Sequence, residues 1–213
     1  MKSFIILFAW ISTLWFFPSC SNGGEKPVIK PVDTVAVVEE PVLHDSVMAY
    51  SEMQQKERCF IVISKQELKL YVCEALEDDT VRVAEYPVCM GKNLGHKQKT
   101  GDMRTPESGW EKPFVITQIQ DASDWTHEFG DGRGEILSYG NWFMRLATPG
   151  FTGIGIHGST NNESSVPGRA SEGCIRLLND DLDVLKENYA YKNMRVVIKG
   201  EEEGLKPFEQ KYY

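Results

Sequence analysis

The chain has 213 residues, 41% hydrophobic and 25% charged, which suits one packed domain with an extra segment rather than two full domains. Its formal net charge at pH 7 is -8, and no run of Lys or Arg is present to neutralise phosphates. That balance excludes an electrostatically driven nucleic-acid binder, so no nucleic-acid partner is expected.

Residues 1–19 carry one early cation, Lys2, and then an apolar stretch from Phe4 to Phe17. The stretch is too short for a comfortable membrane span and reads as a secretory signal. Small Ser19 precedes Cys20, and polar SNGGE follows it. This arrangement resembles the bacterial lipoprotein signal, which implies lipidation of Cys20 and a membrane-anchored, exported protein. The alternative is an ordinary cleaved signal with Cys20 lost or free. Residues 20–57 read as a tether, because Pro27, Pro31 and Pro41 each remove an amide donor and break helices. A short entry helix is expected over Ser46–Glu57.

From residue 58 the apolar period becomes two. CFIVISKQELKLYVCE (59–74) predicts strand, turn and strand, with the turn at Ser64–Glu67. If the turn centres on Gln66, Cys59 and Cys73 fall opposite each other. They are then either a disulfide or two free buried residues. TVRVAEYPVCMG (80–91) predicts a third strand that includes Cys89. KPFVITQIQ, NWFMRLAT, GIGIHG and MRVVIKG predict four more. The segment Trp125–Arg133 reads as a mobile lid or plain surface loop, with His127 solvated. His96, Lys92, Lys97, Lys99 and Arg104 crowd one loop, expected to be solvated or to meet acidic ligands. Trp110, Trp125 and Trp142 are core or rim residues without an assigned role. The single helix after residue 60 is NDDLDVLKENYA (179–190), with Asn179 as its expected N-cap. Residues 201–213 form an acidic, loosely held tail. The fold class is mainly β, a sandwich or partly closed barrel with one short helix after Cys174.

Two residues stand out chemically. Cys174 follows Gly173 and precedes the helix. Its expected place is a strand-to-helix junction, where backbone amides favour a thiolate and can donate to an oxyanion. His157 ends an apolar run and is followed by Gly158, which suits a general base for a thiol. Read from residue types alone, both remain open to a structural role. No two Cys or His residues sit at close ligand spacing, so no metal or other cofactor is expected.

HGST (157–160) followed by SEGCIRL (171–177) resembles the signature of the L,D-transpeptidase catalytic domain, the YkuD type. YPVCMGKN (86–93) and GHKQKTGDMRTPE (95–107) extend the likeness, the latter toward the murein L,D-transpeptidase branch. The resemblance covers residues 58–200 and implies the following roles. Cys174 attacks the third residue of a peptidoglycan stem tetrapeptide and expels D-alanine. His157 is the base, oriented by a backbone carbonyl near Gly158. The Gly173 and Cys174 amides form the oxyanion hole, and Ser171 orients the motif. Arg176 holds a carboxylate or orders the site. Transfer to a neighbouring stem then gives a 3-3 cross-link. Glu172 stands where many members carry His, and a carboxylate there either raises the thiol pKa or binds an amine. The competing readings are hydrolysis of stem peptides or peptidoglycan-protein links through the same cysteine, and a wall-binding module without catalysis.

Overall fold

A computed structural model describes residues 55–204. The signal segment, Cys20 and most of the tether, entry helix and tail lie outside the described residues. Residues 55–57 are helical, and after them come twelve strands, a short 3-10 helix at Glu163–Ser165 and one longer helix: β1 Cys59–Ser64, β2 Lys69–Ala75, β3 Thr80–Pro87, β4 Cys89–Gly91, β5 Phe114–Asp121, β6 Thr126–Glu128, β7 Glu135–Leu137, β8 Trp142–Leu146, β9 Gly155–His157, β10 Gly168–Ser171, β11 Ile175–Arg176, α1 Asn179–Asn188 and β12 Arg195–Lys199. Ten strands form one sheet in the order β10-β4-β11-β9-β8-β5-β12-β1-β2-β3, and its two edges do not join.

Alternation decides which face each strand buries. On β1, Ile61 and Ile63 enter the main core, while Phe60 and Val62 form a smaller cluster with Tyr71 and Cys73 on the other face. The main core takes Leu70 and Val72 from one end of the strand order and Met90 and Ile175 from the other. The sheet therefore folds over on itself in the manner of a sandwich. Leu182 and Leu185 of α1 close this core, both fully buried. Burying each such side chain is worth about 1.5–3 kcal/mol. The helix is thus held by its apolar side more than by its ends.

Several expectations needed correction. The expected third strand is two, because Pro87 lacks an amide donor and Val88 turns aside to donate to Leu68 O. The turn after β1 spans residues 65–68, with Ser64 paired to Lys69. That half-residue shift puts Cys59 opposite Glu74 and Cys73 opposite Phe60. The two cysteines therefore point to opposite faces of the sheet, and no disulfide joins them. The expected lid is a paired ribbon of β6 and β7. The N-cap of α1 is Leu178, and no side chain caps it; Asn179 is the first helical residue and points elsewhere. The described start of the tail is held rather than loose. Glu201 lies 3.4 Å from Lys65 Nζ and 3.1 Å from Arg169.

Candidate active site

The site is built where β9 and β11 run side by side in parallel, with Ile175 opposite Ile156 and Arg176 opposite His157. Both isoleucines are fully buried, so a one-residue slip would expose them and is strongly disfavoured. This register sets the side chains of the two motifs against each other. Cys174, one residue before β11, comes level with Gly155. The same cavity of about 300 Å³ is lined by Cys174, His157, Arg176, Glu172, Tyr139 and His127.

Cys174 lies in the turn between β10 and β11, not at a helix start, because α1 begins only at Asn179. The turn is tight. Gly173 has φ +137°, and a Cβ there would come 2.7 Å from Arg104 O, so only glycine fits. Ser171 Oγ donates to Cys174 O at 2.6 Å and accepts from the Gly173 amide at 3.1 Å. The Gly173 amide, expected to serve an oxyanion, is thus engaged within the turn. The Cys174 thiol donates to Gly153 O at 3.3 Å. Its enclosure by protein pushes the thiol above its ordinary value. A Gly155 backbone hydrogen bond, Arg176 and Lys97 oppose the rise, and Glu172 adds to it.

His157 is 4% exposed and its ring stacks on Phe143, with centroids 5.7 Å apart and planes at 15°. Gly155 makes room for that aromatic ring: a Cβ there would come 2.4 Å from Phe143 Cζ. His157 Nδ1 lies 2.7 Å from Gly158 O. A carbonyl only accepts, so Nδ1 carries the proton and Nε2 keeps its lone pair. Burial, helped by the charge of Arg176, holds the imidazolium down to about 3 against the pull of the Gly158 carbonyl. His157 is therefore neutral at pH 7. The two groups that share the cavity are thus both favoured in their uncharged forms.

The loop after His157 is fixed by Asn179. Its Oδ1 accepts from the Ser159 amide at 2.9 Å, and its Nδ2 donates to Thr160 Oγ1 at 2.9 Å. The Gly158 amide donates to Tyr139 O at 2.6 Å. Sequence reasoning read Asn179 as a cap because its type and position suited one. Its true role was not visible without knowing that this loop passes over the helix start.

Arg176 is 4% exposed. Among the described residues it has no carboxylate partner, and its Nε has no hydrogen bond. Its guanidinium lies 5.1 Å over the Phe129 ring. An uncompensated buried cation at a cavity wall favours an incoming anion. Lys97 is also buried rather than solvated, 2.9 Å from Asp102. Desolvation works to raise the Asp102 carboxyl. Hydrogen bonds from Gln98, Lys97, Lys99 and Arg104 outweigh it and hold the group well below the usual carboxylate range. His96 accepts from the Glu107 amide at 2.9 Å, so it too orders this loop.

The largest departure from expectation is His127. It is half-buried rather than fully solvated, and sits on β6 with Nε2 3.6 Å from Glu172 Oε2. Trp110, Trp125 and Trp142 do not line the cavity. Trp125 packs on Tyr139 and Phe143, Trp110 on Phe60, and Trp142 lies under Lys186. Among the described residues, no group of three or more His, Cys, Asp or Glu is placed to hold a metal.

Residues 59–198 match the model of the L,D-transpeptidase catalytic domain, YkuD. Similar solved structures include Bd1075 from Bdellovibrio bacteriovorus, 23% identical with a TM-score of 0.46, over 67% of this chain and 48% of that one. The helical cell shape determining protein Pgp2 from Campylobacter jejuni is 20% identical with a TM-score of 0.48, over 71% and 51%. An L,D-transpeptidase from Mycobacterium smegmatis is 16% identical with a TM-score of 0.45, over 67% and 59%. The chain spans about half the length of the first two. No curated protein matches it.

Proposed function

Because the chain belongs to the L,D-transpeptidase catalytic domain family, we propose that it is an exported cysteine acyltransferase that forms 3-3 cross-links between peptidoglycan stems. The observation that carries this reading is a half-buried cysteine in one cavity with a neutral imidazole whose Nδ1 proton is already committed. Cys174 Sγ attacks the carbonyl of the third stem residue while His157 Nε2 takes the thiol proton. The carbon-sulfur bond forms, the bond to D-alanine breaks, and His157 returns the proton to the leaving amine. The Cys174 amide, rather than the Gly173 amide, is the donor of that pair left to face the oxyanion. Arg176 supplies positive charge for a substrate carboxylate.

Residues 1–19 as a lipoprotein-type signal, Cys20 as the lipidated residue and 20–57 as a tether complete the proposal. They would hold the catalytic domain, 58–200, at a membrane facing the cell wall, with 201–213 as its tail.

Incubation with a disaccharide tetrapeptide, followed by mass analysis, tests the reaction. A dimer lacking one D-alanine is the expected product, and Cys174→Ala should give none. Loss of D-alanine without dimer would replace transfer by hydrolysis. No change in mass would leave a binding module.

A further inference from the structure

Two imidazoles line the cavity that holds Cys174, and their surroundings differ. His157 lies at its floor, 4% exposed, with Nδ1 bound to a carbonyl. His127 lies at its rim, its side chain 32% exposed, facing Glu172, which is 45% exposed. His127 Nε2 lies 3.6 Å from Glu172 Oε2, an ion-pair distance for the ring once it is protonated. Nδ1 has no hydrogen-bond partner among the described residues.

The His127 ring is supported on several sides. Phe129 meets it edge-on at 4.5 Å, and Tyr139 lies 6.3 Å away at 86°. The same Tyr139 ring lies 4.8 Å from His157, so the tyrosine packs against both imidazoles. The ribbon that carries His127 is pinned. Arg133 donates to Asn161 O at 2.8 Å and to Asn162 Oδ1 at 3.0 Å, and Asn161 Nδ2 donates to Leu137 O at 3.0 Å. A carboxylate-backed histidine with a free ring nitrogen, held rigidly at the mouth of a nucleophile's cavity, is the arrangement a second base requires.

We infer that His127, backed by Glu172, is a second catalytic residue that acts on the acyl acceptor. The inference rests on the acyl-enzyme reading above. An acceptor amine arrives as an ammonium and has one proton too many to attack. His157 is enclosed and serves the sulfur. His127 Nδ1 takes the extra proton at the rim, and Glu172 stabilises the imidazolium that results. The free amine then attacks the thioester. The carbon-nitrogen bond forms, the carbon-sulfur bond breaks, and the remaining surplus amine proton passes through His157 to Cys174. His127 releases its proton to solvent. Atoms and charge balance without another reactant.

The test separates the two half-reactions. The full chain, His127→Gln and Glu172→Gln are mixed with disaccharide tetrapeptide. First-turnover D-alanine release, acyl-enzyme by intact mass and cross-linked dimer are followed. For His127→Gln, D-alanine release in the first turnover should stay within about twofold of the parent. Dimer formation should fall about 100-fold, with acyl-enzyme accumulating. Glu172→Gln should lower dimer formation by a smaller factor than His127→Gln. Added imidazole should restore turnover to His127→Ala, which a purely structural role would not allow. Equal losses in both half-reactions, or no loss in either, would overturn the role of His127. Parent protein that releases no D-alanine and forms no acyl-enzyme would overturn both this role and the reading of the site.

Discussion

Asn179 Oδ1 fills the space into which a side chain at Gly158 would project; a Cβ there would come within 2.3 Å of it. The same oxygen bonds the Ser159 amide, and the Gly158 carbonyl beside it fixes the His157 ring. One helix-start side chain thus sets the position of His157 through a loop it does not belong to. Asn179→Ala should lower turnover roughly 10- to 100-fold, since small misplacements at a reacting centre cost about that much. It should also remove about 1–3 kcal/mol of stability for the unpaired amide groups. Nitrogen chemical shifts of His157 provide the specific check. They should report the Nδ1-protonated tautomer in the parent and a mixture in the variant.

The suppressed basicity of His157 makes a pH prediction with a definite sign. The unfolded imidazole binds a proton near 6.5, whereas the folded one does so only at about 3. Above pH 6.5 both states are neutral at this residue and it adds no pH dependence. Between 6.5 and about 3 the unfolded state holds the extra proton, so stability falls as pH drops. The slope from this one group approaches about 1.4 kcal/mol per pH unit. Urea denaturation of the parent and of His157→Gln across this range should show the parent losing stability more steeply. Parallel curves would contradict the buried, neutral imidazole.

The opposite facing of Cys59 and Cys73 forbids a bond between them without unpairing β1 from β2. After unfolding in the absence of reductant, both should alkylate fully, and reduction should add no further label. Peptide mapping reads this directly.

These cases show what the linear order of residues could and could not convey. The alternating runs of β1, β2, β5 and β12 were legible, because a two-residue period states its own burial pattern. So was the meeting of Cys174 and His157 at one cavity, carried by HGST and SEGCIRL. The short strands β10 and β11 were not. Two to four residues such as GRAS and IR have no period to read, and their pairing depends on neighbours distant in sequence. The Cys59-Cys73 question turned on half a residue in the turn, below the resolution of any propensity. His127 was missed for a related reason. THE and EIL are polar and brief, and only the ribbon they form brings the imidazole to Glu172.

The parallel alignment of β9 and β11 has a further bearing on how the protein comes into being. Neighbouring parallel strands cannot arise from a simple hairpin; the chain must cross over between them. Here the crossover is residues 158–174, and it needs β4 and β10 in place to complete it. During synthesis, the nascent chain therefore carries an ordinary thiol and an ordinary imidazole. The shared cavity is a property of the finished architecture, and it exists only once these strands have paired.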